Sequence, residues 1–272
     1  MTTAATTYAP TAVTRRRKTM LRPVRDALAI AARNLIAYRR VPQLLVFSTI
    51  QPVIFVLLFR YVFGGAVTSI PGVPYVDFLM PGIFVQTTVF GSIAAAIGLA
   101  TDLKSGLLER FHSLPMARSA VLVGRTTADL TRNVFVVALM AAVGFGVGFR
   151  VHTNAASFLA GMLLVLAFGY AMSWIFATVG LAVGDPETAQ AAAFPVMAPL
   201  VFASSAFIPV STMPGWLQPF AEHQPVSVTA GAVRALTIGG PATSHVLQSL
   251  AWDVGILVAF APIAVWRYRR AV

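Results

Sequence analysis

Six long apolar segments, separated by short polar stretches, constrain this chain more than any other feature. They cover residues 44–63, 78–100, 133–149, 155–183, 189–209 and 246–266. Each is near the roughly 20 residues that a helix needs to cross about 30 Å of hydrocarbon. The third leaves room for an earlier start inside its charged approach, and the fourth is long enough to tilt or to project beyond the bilayer. Only 11% of the 272 residues are charged and 57% are hydrophobic, whereas a typical soluble domain carries about 25% charged residues. The expected fold is an all-α integral membrane protein with six transmembrane helices.

Before the first span, residues 1–22 read as a disordered tail that carries the basic cluster Arg15, Arg16, Arg17 and Lys18. No apolar run follows that cluster directly, which argues against a cleaved signal peptide. Residues 24–40 then turn helical. Val24, Leu28, Ala31, Leu35 and Tyr38 share one face, with Arg22, Arg25, Arg33 and Arg40 on another. A basic amphipathic helix in this position is expected to lie in the membrane interface, and residues 23–272 then form one membrane domain.

The formal charge is +11, from 20 Lys and Arg against 9 Asp and Glu. The bases flank apolar spans and no nucleic-acid module accompanies them, so an anionic leaflet is the expected partner and nucleic acid is not. With six spans both termini share a side. Seventeen of the 20 bases then fall on that side, and only Arg60, Arg150 and Arg234 fall opposite. The positive-inside rule makes the termini cytoplasmic in a multi-pass protein of the cell membrane. The two longest connections are a cytoplasmic one within 101–132 and an external one at 210–245.

Enzyme signatures are missing from the sequence. There is no P-loop, no H-E-x-x-H and no G-x-S-x-G. The chain has no cysteine, and its four histidines, His112, His152, His223 and His245, lack metal-ligand spacing. No catalytic residue, metal or cofactor is expected in the chain. A proton-driven carrier would keep ionisable groups inside the spans, and only Asp253 qualifies. Arg60 and Arg150, near the same boundary, make an ion pair or a solvated carboxylate the expectation there. Arg125, Asp129 and Arg132 share one helical face and read as an interfacial pair with snorkelling heads.

Polar and broken positions within the spans are few. Gln51 and Pro52 interrupt the first span, Gln86 lies in the second, and Pro195 and Pro199 interrupt the fifth. Proline frees a backbone carbonyl that a neighbour or water must satisfy, so such places suit hinges and polar paths. Phe47, Phe55, Phe84, Phe90 and Phe202 add aromatic surface, suited either to a substrate path or to lipid and bundle packing. The stretch PGWLQPFAEHQPVSVTAGAVRALTIGG, from Pro214 to Gly240, reads as two short helices tucked at the outer surface, with Trp216, Phe220 and Pro225 forming a cap or gate.

The stretch GLLERFHSLPMARSAVLVGR after the second span, the motif MPGWLQPFAEHQPVSVTAGAVRAL outside, and the six-span layout behind an amphipathic helix together resemble one family. It is that of the ABC-2 type exporter permeases, the membrane subunits of daunorubicin/doxorubicin-resistance transporters in actinobacteria. The resemblance covers nearly the whole chain from about Val24. It implies two membrane subunits, as identical or related chains, working with two separate ATPase subunits that hold ATP and Mg2+. It also implies that the loop 101–120 forms a coupling helix seated in the ATPase, with Glu109, Arg110, Phe111, His112, Leu114 and Pro115 as contacts. In such a family the path lies between membrane subunits near spans one, two and five. The expected function is ATP-driven export of an amphipathic or hydrophobic drug, antibiotic or lipid. The alternative is a self-contained proton-coupled carrier.

Overall fold

The computed structural model describes residues 42–64, 72–107 and 118–271, with side chains from residue 49 in the first stretch and from 122 in the third. The interface helix at 24–40 and residues 108–117 of the coupling loop lie outside the described residues. Eight α-helices are described: α1 Pro42–Leu57, α2 Tyr75–Lys104, α3 Arg118–Gly146, α4 Ala155–Val183, α5 Pro186–Phe202, α6 Gln218–His223, α7 Pro225–Ile238 and α8 Ala242–Ala271. A five-residue π-helical turn, Leu58–Val62, extends α1. Among the described residues there is no strand.

Four of these helices are long and apolar enough to cross a membrane: α2, α3 from Leu122, α4 and α8 to Arg270. The other two expected spans are shorter. The described apolar stretch of the first is Thr49–Val62, and α5 has 17 residues. It ends at Phe202, before the expected 209, because side chains capture its last carbonyls. Ser204 Oγ donates to Val201 O at 2.6 Å, and Gln224 Nε2 donates to Leu200 O at 2.9 Å and Ala203 O at 3.4 Å. A helix end needs partners of this kind when water is scarce.

Helix α2 is the centre of the bundle, buried without interruption from Tyr75 to Val89. Its closest partner is α4, and small residues bring the two backbones together. A Cβ at Gly180 would overlap Ala96 O, and one at Gly169 would lie 2.8 Å from Thr88 Cβ. The approach is sealed by Ser92 Oγ, which contacts Thr88 O at 2.7 Å and Gly169 O at 3.0 Å. Asn154 caps the start of α4 through Ser157 N–H, and Gly184, at φ 74°, turns the chain out of it. Helix α8 also packs on α4, and Leu99 of α2, Leu122 of α3, Trp174 and Leu181 of α4 and Tyr268 of α8 make a second buried cluster.

The connection from α5 to α8 folds back over the bundle end, with α6 and α7 as its two short helices. Arg234 of α7 fixes it. Its Nε donates to Phe78 O at 2.8 Å, its Nη1 to Ser205 Oγ at 3.1 Å, and its Nη2 to Ser205 O and to Ala206 O at 3.2 Å. The guanidinium also stacks 3.8 Å above the Phe78 ring. Tyr75 Oη donates to Phe207 O at 3.0 Å, and Gly82 lets Ala206 O rest on α2 where a Cβ would overlap it. Sequence reasoning counted Arg234 only as a topology charge. Here it bolts α7 and the 203–207 turn to α2.

Candidate substrate cavity

A cavity of about 370 Å³ opens where α1, α2, α3 and α5 separate near mid-length. Gln51 and Pro52 of α1, Phe90 and Gly91 of α2, Arg132 and Asn133 of α3, and Gln190 and Phe194 of α5 line it, with apolar residues between. It opens sideways between α1 and α5, where Gln51 and Phe194 are exposed. Pro52, within α1 at this wall, lacks the N–H that would meet the carbonyl four residues earlier.

The α3 wall is polar. Arg132 Nη2 donates to Gly91 O and also lies 3.3 Å from Asn133 Oδ1. Gly91 makes room for both: a Cβ there would lie 2.7 Å from Asn133 Oδ1 and 3.1 Å from Arg132 Nη2. Seven residues along α2 the arrangement recurs, with the Arg125 guanidinium lying where a Gly98 Cβ would be. Arg125 faces Asp102 Oδ2 at 3.6 Å and Asp129 Oδ2 at 4.0 Å. Helix α3 starts at Arg118, well before the expected span, so Arg132 lies about 21 Å along it at ~1.5 Å per residue. Arg132 is 8% exposed, so its head does not snorkel out to solvent as expected. The Arg125–Asp129 pairing at four residues is present as expected.

An aromatic ladder leaves the cavity at Phe90. Its ring centroid is 6.4 Å from that of Phe55, which lies 6.0 Å from Phe59 and 5.9 Å from Phe207. Phe59 and Phe207 stack at 4.4 Å with 8° between planes, and Phe202 and Phe63 extend the group at 6.2 Å from Phe207 and 5.4 Å from Phe59. Phe207 is the hub, presented by the turn that Tyr75, Gly82 and Arg234 hold against α2. The π-helical turn at 58–62 follows Leu57, and Phe59 within it meets Phe207. Sequence reasoning missed Phe59 and Phe207, because Phe207 lies outside any regular helix and its contacts are long-range.

Of the residues expected along a path, Gln51 and Phe90 line the cavity, and Phe55 and Phe202 belong to the ladder. Phe84 does not: it is fully buried in the core, 6.0 Å edge-on to Phe149. Gln86 is 2% exposed and does not line the cavity, and its Oε1 has no partner among the described residues. Phe47 lies on α1 with its side chain outside the described residues. The expected contacts Glu109, Arg110, Phe111, His112, Leu114 and Pro115 all lie outside the described residues. Of the expected gate residues, Phe220 and Pro225 line a separate cavity of about 410 Å³ together with Leu200, Trp252, Ile256 and Phe260, while Trp216 is 79% exposed and apart from it.

Asp253 overturns its expectation. It is 4% exposed on α8, and neither carboxyl oxygen has a hydrogen-bond partner among the described residues. Arg150 does not reach it: its Nη1 donates to Phe145 O at 3.2 Å and Phe149 O at 2.9 Å. The carboxylate that does organise this end is Asp77, whose Oδ1 accepts from Arg150 N–H and whose Oδ2 meets His152 Nε2, both at 2.8 Å. At the opposite end of the bundle, Asp185 caps α5 through Thr188 N–H and meets Lys104 Nζ at 2.6 Å. The Lys104 hydrogen bond, followed by those from Thr188, holds the Asp185 carboxyl down at about 2.

Two helices of membrane length, α2 and α3, and the shorter α1 and α5 thus enclose a mainly apolar cavity with one polar wall. Residues 25–238 match the model of the ABC-2 type transporter family. The daunorubicin resistance ABC transporter permease protein DrrB1 of Streptomyces coeruleorubidus is 34% identical over 254 residues, covering 91% of this chain and 89% of that one. The doxorubicin resistance ABC transporter permease protein DrrB of Mycobacterium tuberculosis is 29% identical over 247 residues, covering 86% and 82%. The chain belongs to the ABC-2 type transporter family.

Proposed function

We propose that this chain is the membrane-spanning subunit of an ATP-driven exporter, which moves an amphipathic or hydrophobic substrate out of the cytoplasm or inner leaflet. The observation that carries this is the cavity of α1, α2, α3 and α5 with an aromatic ladder leading from it toward the folded-back α6–α7 end. Substrate enters sideways between α1 and α5, and successive rings replace lipid contacts along the ladder. The relatives named as drug-resistance ABC transporter permeases support an exporter of small molecules.

In this reading all six segments cross the membrane, α1 and α5 being completed by a second copy or a related chain. Two ATPase subunits bind ATP and Mg2+ on the cytoplasmic side, where both termini, the Lys104–Asp185 contact and the loop 101–120 lie. Glu109, Arg110, Phe111, His112, Leu114 and Pro115 seat that loop in the ATPase. The α6–α7 region caps the outer end, with Trp216 in the interface belt. The distinguishing experiment co-reconstitutes the chain with its ATPase in vesicles and follows efflux of a fluorescent amphiphile. ATP dependence that survives a protonophore is the expected result. Transport driven by a proton gradient without ATP would instead establish the secondary carrier, with Asp253 as its titrating group.

A further inference from the structure

We infer that the groove between α6 and α8 is a second binding site, for an amphiphile with an ammonium head and an alkyl chain. Binding there is independent of the exporter reading. The chain occupies the cavity of about 410 Å³ walled by Ile175 of α4, Leu200 of α5, Phe220 of α6 and Trp252, Ile256 and Phe260 of α8. That wall is wholly apolar. Its one amide, on Gln224, is already engaged: Nε2 donates to Leu200 O at 2.9 Å, and Oε1 accepts from Val226 N–H at 3.0 Å. Pro225 has no N–H to offer. A polar group placed here loses its hydrogen bonds to water and gains none, whereas hydrocarbon loses nothing. Phe220 and Trp252 are 45% and 42% exposed, so the cavity is open beside them. Its volume is within the range of sites that take small organic molecules.

A second cavity, of about 570 Å³, adjoins the first through His223 and Trp252, which line both, and adds Glu222 and Gln248. The groups here suit a cation. Glu222 is the one Asp, Glu, Lys or Arg lining either cavity, and it has no ion-pair partner among the described residues. His223 Nδ1 lies 2.9 Å from Pro219 O. A carbonyl only accepts, so Nδ1 holds the proton, and in the neutral ring Nε2 keeps a free lone pair. Gln248 adds a carbonyl acceptor, and Trp252 an indole, the side chain best suited to hold an ammonium against its face. An anionic head would meet Glu222 with no Lys or Arg on the wall to balance it. Gln248, Trp252, Ile256 and Phe260 recur every four residues on α8 and so share a face. That stripe runs from polar to apolar, which joins the head site to the chain site along one helix.

The test photolabels the full-length protein in dodecyl maltoside with two alkyl-diazirine probes of equal chain length, one ending in a primary ammonium and the other in a sulfonate. Peptide mapping reads which residues each chain reaches, and no transport is required. The ammonium probe should label α8 between Trp252 and Phe260 about fivefold more than the sulfonate probe, a modest ratio because Glu222 is exposed. E222Q should bring the two probes close to equal at unchanged melting temperature, and E222D should keep the preference. Equal labelling of the unaltered protein by both probes, as hydrocarbon adhering without regard to its head would give, overturns the inference. So does a preference for the sulfonate, labelling confined to other helices, or an ammonium preference that survives E222Q.

Discussion

At the scale of single residues, two glycines and one carboxylate carry testable weight. Gly91→Ala places a methyl 2.7 Å from Asn133 Oδ1 and 3.1 Å from Arg132 Nη2, both side chains with some freedom to move. It should cost about 1–3 kcal/mol and disturb ligand binding more than stability. Gly82→Ala meets backbone instead, since its Cβ overlaps Ala206 O. That variant should lower the melting temperature clearly and release the Phe207 turn, as thermal unfolding in detergent would show. Asp253→Asn removes a charge that no described group balances, without changing the shape of the side chain. An unpaired buried carboxylate is costly, so the variant should be at least as stable as the parent and should export normally under ATP. A loss of stability would mean that the carboxylate has an ion partner in the assembly. The roles of the two glycines were not legible from sequence, because each depends on which distant group packs against the residue, whereas Asp253 stood out in the sequence and only its surroundings were misread.

At the scale of helices, legibility tracked local signals. Both ends of α4 are marked in the sequence, by Asn154 as cap and Gly184 as exit, and the helix occupies 155–183 as expected. The start of α3 was left open by the sequence, inside the charged approach that holds Arg125, Asp129 and Arg132. Their charges are in fact met across the helix pair by Asp102 and the Gly91 carbonyl, a contact no sequence window contains. The end of α5 was misjudged for a similar reason, since Gln224, more than 20 residues on, caps it. The α5 start offers a pH test. The Asp185 carboxyl is held at about 2 by Lys104 and Thr188, below its usual value near 3.9. A depressed carboxylate adds stability above its unfolded value, and loses it as pH falls toward the folded value. Acidification from pH 5 to pH 2 should therefore weaken the Lys104–Asp185 contact. Asp185→Asn, which keeps a capping side chain, should flatten that part of the melting-temperature profile.

At the scale of the whole molecule, an all-helical membrane fold followed from hydropathy and charge placement alone, because both are one-dimensional properties of the chain. The cavity was legible only in part: Gln51, Pro52 and Phe90 stood out in the sequence, whereas the α3 wall looked like an interfacial charge pair. In the exporter reading the ATPase acts through the loop joining α2 to α3. Glu109→Ala or Leu114→Ala should leave membrane insertion intact and uncouple hydrolysis from efflux, measured as ATPase activity that substrate no longer stimulates. Normal stimulation and normal efflux in both variants would remove the loop from the coupling route.

The two guanidinium–glycine contacts between α2 and α3 also limit how these helices can move. Arg132 over Gly91 and Arg125 over Gly98 repeat at the same interval on both helices. Slipping one helix by a turn, about 5.4 Å, would set each arginine against a side chain rather than an empty place. The pair is therefore indexed like two gears with matched teeth: it can tilt as one body but cannot ratchet. In the exporter reading, a push on the loop that joins α2 and α3 swings the arginine wall as a unit, and any change in cavity width then falls to α1 and α5.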